Sequence, residues 1–175
     1  MTADAANTRE SDDGTAMVSP TPFSIFRSTE ENNRVDNRIF YGRFGHLRKT
    51  LDYTYHSNYS MGRQFMQDAI IEDRLDSIAL IDVNGDVCTT PTEPFIVFTA
   101  GAMGAGKGHV ISDLVNDGRF PLLAFVTVDP DEIRRKFPEF ILYAEQVPER
   151  AGELTQKEAG FVAELMTLAA LQAGK

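Results

Sequence analysis

The chain has 175 residues, which is enough for one domain with a sizeable core and an additional segment. Its formal net charge of −9 argues against a broad nucleic-acid or anionic-membrane surface, because such surfaces need an excess of basic residues. Cys88 is the only cysteine, so no intramolecular disulfide can form and a reducing compartment is expected. No apolar run approaches the roughly 20 residues that span a bilayer, and the acidic N-terminus is unlike a secretory leader. We therefore expect a cytoplasmic protein that does not enter a membrane.

The first 59 residues divide into a polar tail and an aromatic segment. Residues 1–21 are small, polar and interrupted by proline, which predicts disorder. Aromatic and basic side chains are dense from Pro22 to Tyr59. They could form an extension that packs its aromatic rings on the core and leaves its arginines in water, which we favour, or a surface that stacks single-stranded nucleic acid. His46 and His56 have no cysteine or acidic partner at metal-ligand spacing, so no metal site is predicted.

A helix and a hairpin are predicted next. Ser60 to Leu75 carries apolar residues at helical spacing, and we expect this stripe to face the core; its members are Met61, Phe65, Ala69 and Ile70. Ile78 to Val83 predicts a strand that turns back at Asn84-Gly85. Residues 22–92 are thus expected to form an N-terminal extension, and residues 93–175 a second unit.

A glycine-rich loop begins the second unit. An apolar run, Phe95 to Phe98, leads into the loop, and the helical pattern His109 to Val115 follows it. Strand, glycine loop and helix in this order predict a site where backbone N–H groups and Lys107 hold phosphates, although a plain glycine-rich turn is the alternative. The predicted nucleotide-binding residues are Gly101, Ala102, Met103, Gly104, Ala105, Gly106, Lys107, Gly108 and His109. Gly108 stands where such loops have the Ser or Thr that ligates Mg²⁺.

Further elements follow the loop. Gly118 is expected to end the first helix, and the continuous apolar run Leu122 to Val128 predicts a buried strand. Asp129 and Pro130 have the character of an N-cap and a first helical residue, and Pro138 is expected to interrupt or restart that helix. The stretch Thr155 to Glu158 reads as a capping box that opens a long helix; its expected buried stripe is Phe161, Val162, Leu165, Met166, Ala169 and Ala173.

The order of these elements predicts the fold. Strands that alternate with helices indicate an α/β fold with a P-loop NTPase-type parallel sheet and flanking helices. Ligands bind such sheets outside the carboxyl ends of the strands. We therefore expect Lys107, after the first strand, and Asp131, after the second, to meet over one ligand.

Residues 93–175 resemble the zeta toxin family of P-loop kinases. The resemblance is carried by the glycine loop, by the stretch from Asp129 to Phe140, with its Asp-x-Asp, basic and Pro-x-aromatic pattern, and by Thr155-Gln156-Lys157-Glu158-Ala159, which is similar to a Glu-Ala at the start of a helix. It implies transfer of a γ-phosphoryl group from ATP or GTP, with Mg²⁺, to a hydroxyl of a small molecule. In the bacterial toxins this acceptor is a UDP-amino sugar, and a small antitoxin protein holds the domain inactive.

The resemblance also implies roles for single residues. Lys107 would neutralise phosphate charge and Asp131 would orient or deprotonate the acceptor hydroxyl, so both are predicted catalytic residues. Glu158 and Arg134 are the predicted substrate-binding residues. Each has a structural alternative, because Asp131 can favour a helix dipole, Glu158 can belong to a capping box, and Arg134 can lie on a solvated face.

Two departures from the family pattern lower the expected activity. Gly108 removes a Mg²⁺ ligand, and the sequence ends before the strand that would lie between the first two and before the family's later arginines. A fragment with impaired activity is the expectation, and a non-catalytic nucleotide-binding or interaction module is the alternative. An antitoxin-like partner is implied by the resemblance, whereas the acidic composition disfavours nucleic acid.

Overall fold

In the computed structural model, residues 22–78, 96–102, 105–120 and 122–175 are described. The predicted disordered tail, and the predicted hairpin beyond Ile78, lie outside these residues. The described residues form seven α-helices, two short strands and one 3₁₀ turn, in the order α1 Thr29–Asn33, β1 Arg34–Val35, α2 Gly45–Arg48, β2 Asn58–Tyr59, α3 Met61–Asp76, α4 Lys107–Asn116, the 3₁₀ turn Leu122–Ala124, α5 Pro130–Arg135, α6 Pro138–Gln146 and α7 Ala151–Gln172.

The predicted α/β fold with a parallel P-loop sheet is wrong for the described part of the chain. Its only sheet pairs β1 with β2 in antiparallel register, with Arg34 opposite Tyr59. Residues 96–100 have no regular structure, and the second apolar run begins as the 3₁₀ turn instead of a strand. A strand needs a neighbouring strand to pair its backbone N–H and C=O groups, and a hydrophobic sequence alone does not provide that neighbour. Both runs line a shared groove of about 220 Å³ without pairing, and Phe98 is 84 % exposed.

The long helix α7 lies at the centre of the described structure. Helices α1, α2, α3, α5 and α6 all contact it. Its buried apolar residues include the predicted Phe161, Val162, Leu165, Met166 and Ala169, whereas Ala173 is exposed. Helix packing against α7, and not a sheet, therefore buries the core.

The predicted capping box at Thr155 is wrong because α7 begins one turn earlier, at Ala151. Thr155 is buried within the helix, where its hydroxyl donates to the carbonyl of Ala151 at 2.8 Å. Such bonding to the preceding turn satisfies a threonine hydroxyl inside a helix. Glu158 is therefore not an N3 residue, and its burial needs another explanation.

Helix α3 forms where the sequence predicts it but turns a different face to the core. Met61 and Phe65 of the predicted apolar stripe are about half exposed. The buried face instead carries Arg63, Gln64, Gln67, Asp68, Ile71 and Leu75. Polar side chains can be buried when each finds a partner, and those of α3 find theirs on α7, on α6 and in the preceding loops.

The aromatic segment packs only in part as predicted. Phe44 and Tyr59 are buried in the core, whereas Phe23 and Phe26 are exposed. The expectation that the arginines lie in water is wrong for Arg48, which is fully buried with Nη2 2.6 Å from the carboxylate of Asp68. The segment is thus held by a buried ion pair as well as by aromatic packing.

The helix boundaries around the candidate site are mostly confirmed. Gly118 follows α4 with φ of +67°, a conformation that glycine adopts without strain. Asp129 is the N-cap of α5, Pro130 is its first residue, and Pro138 starts α6. Helix α4 has no buried side chain, and its Val110 is 56 % exposed.

Candidate functional site

The glycine loop enters α4 through a glycine in the left-handed conformation. Gly106 is the N-cap of α4 with φ of 76°, which side chains other than glycine rarely adopt. Lys107 Nζ donates to the carbonyl oxygens of Gly101 at 2.8 Å and Ala102 at 3.0 Å. The lysine thus folds its ammonium group back over its own loop. Of the predicted loop residues, Met103 and Gly104 lie outside the described part of the chain.

The N-terminus of α4 suits an anion. Helix N-termini leave backbone N–H groups without partners inside the helix and carry partial positive charge. The first turn of α4 contains no acidic residue. His109 is exposed and lies 3.5 Å from the carboxylate of Asp113, one turn further along. A phosphate at this end would meet backbone donors and Lys107.

The loop offers little to a magnesium ion. Gly108 has no hydroxyl, and a Cβ placed there would meet open space. Among the side chains that the structure describes, no group of three or more His, Cys, Asp or Glu residues is arranged to hold a metal.

The predicted catalytic aspartate, Asp131, lies at the start of α5. Asp129 Oδ1 accepts from the backbone N–H of Asp131 at 2.8 Å, so Asp129 caps the helix. Asp131 Oδ1 lies 2.6 Å from Arg134 Nη2, and the Asp131 side chain is 62 % exposed. Asp129 therefore caps the helix, and the Asp131 carboxylate is exposed to solvent.

A cleft of about 630 Å³ opens beside Asp131. Its walls come from α5, from α7 and from the loop before β2. The lining residues are Tyr55, His56, Asp129, Pro130, Asp131, Arg134, Glu153, Gln156, Lys157, Gly160 and Glu164. The volume falls in the range of small-molecule sites, about 300–1,000 Å³. Carboxylates and cations face the same space, so the cleft can meet hydroxyl donors and anionic groups together.

The loop before β2, which forms one wall of this cleft, is held against α7 by aromatic contacts and ion pairs. His56 Nε2 lies 2.9 Å from Glu164 Oε2, and its ring meets the Phe161 ring edge-on at 5.2 Å. Tyr55 is 65 % exposed, and Lys157 Nζ lies 5.7 Å from the centre of its ring. Lys157 also lies 2.8 Å from Glu30 on α1. The cleft therefore contains the exposed ring of Tyr55 beside the ammonium group of Lys157, which Glu30 holds in place.

Glu158 faces the interior instead of this cleft. Its two carboxylate oxygens accept from Arg63 Nε at 2.7 Å and Arg63 Nη2 at 2.8 Å, and one also accepts from Gln67 at 2.8 Å. Arg63 Nη1 additionally reaches Glu139 at 2.8 Å. Burial by itself lowers the pKa of the Arg63 guanidinium, but the two carboxylates more than reverse this and raise it. In this arrangement Glu158 joins α3 to α7.

The structure brings some of the predicted site residues together and separates others. Asp131 and Arg134 share the cleft. Lys107 is not among the residues that line it, and Glu158 lies on the buried face of α7 against Arg63. The sequence interpretation missed Tyr55, which lies about a hundred residues from the α7 residues it joins. No spacing signal could have found it, because only the packing of the loop on α7 creates the contact.

Comparison with known proteins identifies the family. The family model described as zeta toxin matches residues 78–175, more than half of the chain. Searches of curated proteins and of solved structures gave no match. No helix in the described ranges combines the length and hydrophobicity needed to cross a membrane. The chain belongs to the zeta toxin family, whose members are P-loop kinase-like proteins.

Proposed function

We propose that the chain binds ATP or GTP at the loop of residues 101–109 and transfers its γ-phosphoryl group to a hydroxyl of a small molecule. The observation that carries this proposal is the loop itself, in which Gly106 turns the backbone into α4 and Lys107 lies across the turn. Family membership supports it. Phosphoryl transfer depends mostly on positioning and electrostatics, so a lysine and one placed carboxylate are the parts to look for.

Lys107 supplies the positive charge for the triphosphate. Its ammonium group is now held by two carbonyl oxygens, and phosphate oxygens are stronger acceptors because they are charged. A bound triphosphate would draw Lys107 away from Gly101 and Ala102. Mg²⁺ would come with the nucleotide and would neutralise part of the charge on its phosphate oxygens.

Asp131 is the proposed base for the acceptor. Its exposed carboxylate faces the cleft and can accept the proton of an acceptor hydroxyl. The hydroxyl oxygen then bonds to the γ-phosphorus, and the bond from that phosphorus to the β–γ bridging oxygen breaks. Arg134 and Lys157 offer charge to an anionic acceptor, of which a UDP-amino sugar is the example implied by the family.

The two halves of the site must approach each other for transfer. Lys107 does not line the cleft that contains Asp131. Closure of loops around bound substrates commonly completes a kinase site. We therefore place the transfer in a closed state in which the glycine loop and α5 meet over the γ-phosphate.

A non-catalytic nucleotide-binding or interaction module is the second candidate. The burial of Glu158 against Arg63 favours it, because that carboxylate is then not free to hold an acceptor. This candidate predicts nucleotide binding without turnover. An antitoxin-like partner and a cytoplasmic location are further predictions, from the family resemblance and the composition respectively.

Nucleotide binding is the first test. We expect ATP to raise the melting temperature of the full chain, since a ligand that binds the folded state stabilises it. Lys107→Ala should remove the shift, and Lys49→Ala, which removes an exposed charge at the C-cap of α2, should keep it. Absence of any shift with saturating ATP and GTP would refute both candidate functions.

Transfer is the second test. With γ-labelled ATP and a UDP-amino sugar, we expect a labelled sugar, and Asp131→Asn should slow its formation by at least about 100-fold. Glu145→Gln, on the exposed face of α6, is the matched carboxylate control. Label transfer that is unchanged in Asp131→Asn would reject this base, and binding without transfer would favour the second candidate.

A further inference from the structure

Helix α3 presents an apolar stripe to solvent. Met61, Phe65 and Ala69 follow one another at four-residue spacing, which places them on one face of the helix. All three side chains are exposed. An amphipathic helix ordinarily turns such a stripe towards the core. The packing of this chain on itself therefore does not explain the stripe.

The opposite face of α3 fixes this orientation. Arg63 donates to Glu158 on α7 and to Glu139 on α6, and Gln67 also donates to Glu158. A rotation that buried Phe65 would separate these groups from their partners, and a buried charge without a partner is costly. The stripe therefore stays on the surface, where another molecule can cover it.

The two edges of the stripe differ in the side chains that they carry. On one edge lies Ile39, which is 49 % exposed and whose carbonyl oxygen accepts from Gln64 Nε2 at 3.0 Å. On the other edge lies Gly62, where a Cβ would meet nothing within 4 Å. The surface is thus apolar and open to the close approach of a second helix, since packed helix axes lie about 8–10 Å apart.

The charges at the two ends of α3 indicate what kind of helix fits. The first turn contains no acidic residue, whereas the last turn carries the exposed Asp73 and Asp76. Carboxylates at a helix C-terminus meet the negative end of the helix dipole, which is unfavourable. An antiparallel helix with the same sequence would place its positive N-terminal end beside them. Arg38, exposed next to Ile39, adds positive charge at that end.

We propose that α3 pairs with α3 of a second copy of this chain in antiparallel orientation, so that Phe65 of each copy packs against Ala69 of the other. A two-fold axis makes this contact self-complementary, because the same large and small side chains meet twice. Helix α3 precedes the residues that the family model matches. The surface therefore belongs to the preceding segment, and the proposal does not depend on the proposed function.

The size of the surface sets the expected strength of this dimer. Helix α3 has 16 residues. One face of such a helix, about 24 Å long and about 10 Å wide, offers less than the roughly 800 Å² per partner of a standard interface. We therefore expect a reversible dimer with a dissociation constant in the micromolar range.

Sedimentation velocity of the full chain across the micromolar range is the first test. We expect a monomer–dimer equilibrium that Phe65→Glu weakens at least about tenfold, because it places two carboxylates in the contact. Phe26→Glu is the matched control, since it removes an exposed phenylalanine that lies before α1, and it should leave the equilibrium unchanged. Thermal unfolding shows whether both variants fold. Met61→Ser is a milder change on the same stripe and should also weaken the dimer.

Disulfide trapping tests the orientation. Gly62 and Glu72 lie three residues outside Phe65 and Ala69, so the antiparallel register places Gly62 of one copy opposite Glu72 of the other. In a Cys88→Ser background, a mixture of Gly62→Cys and Glu72→Cys chains should form a disulfide-linked heterodimer on mild oxidation. Gly62→Cys alone should not link to itself, because its two copies would be about 15 Å apart along the helix axis and a disulfide needs Cα atoms within about 7 Å.

Each outcome decides for or against the pair. A chain that stays monomeric at all these concentrations, or a dimer that Phe65→Glu and Met61→Ser leave intact, would overturn the proposal. Equal weakening by Phe65→Glu and Phe26→Glu would also overturn it, because apolar association would then not be specific to α3. Efficient linking of Gly62→Cys to itself would overturn the antiparallel orientation. Loss of ATP binding or of transfer would refute the proposed function and leave the dimer standing.

Discussion

Arg63 and Glu158 form a buried ion pair with two parallel hydrogen bonds, at 2.7 and 2.8 Å, between α3 and α7. The guanidinium also lies over the ring of Phe137, with 5.0 Å between its central carbon and the ring centre. Arg63 precedes the residues that the family model matches, and Glu158 lies inside them. The pair therefore ties the preceding segment to the family domain.

Breaking this pair should be strongly destabilising. We expect Arg63→Met alone to lower the free energy of unfolding by about 3–5 kcal/mol, because it leaves the buried Glu158 charge without its partner. Glu158→Gln should lower it by less, because Arg63 keeps its ion pair with Glu139. The double variant should lose less than the sum of the two, since it removes both charges. Urea unfolding measures the free energy of unfolding of the two single variants and of the double variant. Arg43→Ala, which breaks an exposed 3.4 Å contact with Glu72, should change stability by less than about 1 kcal/mol. If the changes in the free energy of unfolding at Arg63 and Glu158 were additive, the two side chains would not be interacting.

The left-handed glycines at the two ends of α4 allow function to be separated from folding. Gly106→Ala and Gly118→Ala should each destabilise the protein by about 1–2 kcal/mol, because both residues have φ near +70°. Only Gly106→Ala should also weaken ATP binding, since Gly106 shapes the loop. Equal ATP affinity in the two variants, measured by calorimetry, would argue against the loop as the nucleotide site.

Gly108 is the position at which a magnesium ligand can be restored. Gly108→Ser places a hydroxyl where phosphate-binding loops ordinarily have one, and the site has open space for it. We expect a several-fold gain in ATP affinity that requires Mg²⁺ and disappears with EDTA. Gly108→Ala adds the Cβ without the hydroxyl and should show no such dependence. The same gain in both variants would mean that helix stability, and not metal binding, is responsible.

Asp129 and Asp131 should separate into a structural and a functional residue. Asp129→Ala should lower stability by about 1 kcal/mol because it removes the cap of α5. Asp131→Ala should change stability by about 0.5 kcal/mol or less, since its carboxylate is largely exposed. Thermal unfolding gives both values. A larger loss at Asp131 than at Asp129 would contradict the assigned roles.

Tyr53 should contribute to instability at high pH. Burial raises its pKa to about 12, against the opposing charges of Arg48 and Arg38. The folded-state pKa thus exceeds the ordinary value, so its contribution to stability is complete below about pH 10 and is lost as the pH rises towards 12. Tyr53→Phe cannot ionise and should unfold at higher pH than wild type. At neutral pH it should be no less stable, because the Tyr53 hydroxyl has no partner among the described residues. Burial raises the pKa of Tyr59 as well, so some alkaline sensitivity should persist.

Local signals in the sequence were sufficient for most helices. Capping and proline chemistry located the start of α5 at Asp129 and Pro130, and glycine located the end of α4. These features act within one turn of a helix, so a short stretch of sequence contains the whole cause. The family was also recognisable, because its motifs are short and contiguous.

Features that depend on distant partners were not predictable. The apolar run 122–128 could have formed a strand only with a neighbour beside it, and hydrophobicity does not show whether one is present. The same holds for α3, whose buried face is polar because Glu158 and Glu139 accept from Arg63. A helix that buries its charges and exposes Phe65 reverses the pattern on which amphipathic predictions depend.

The central position of α7 determines how the protein unfolds. Helices from the segment before the family domain and helices within that domain pack on α7 and share one hydrophobic core, so neither set can leave without exposing part of that core. Hydrogen exchange should then find the backbone amides of α7 among the slowest in the molecule, and protection in α3 and α5 should disappear in the same opening event.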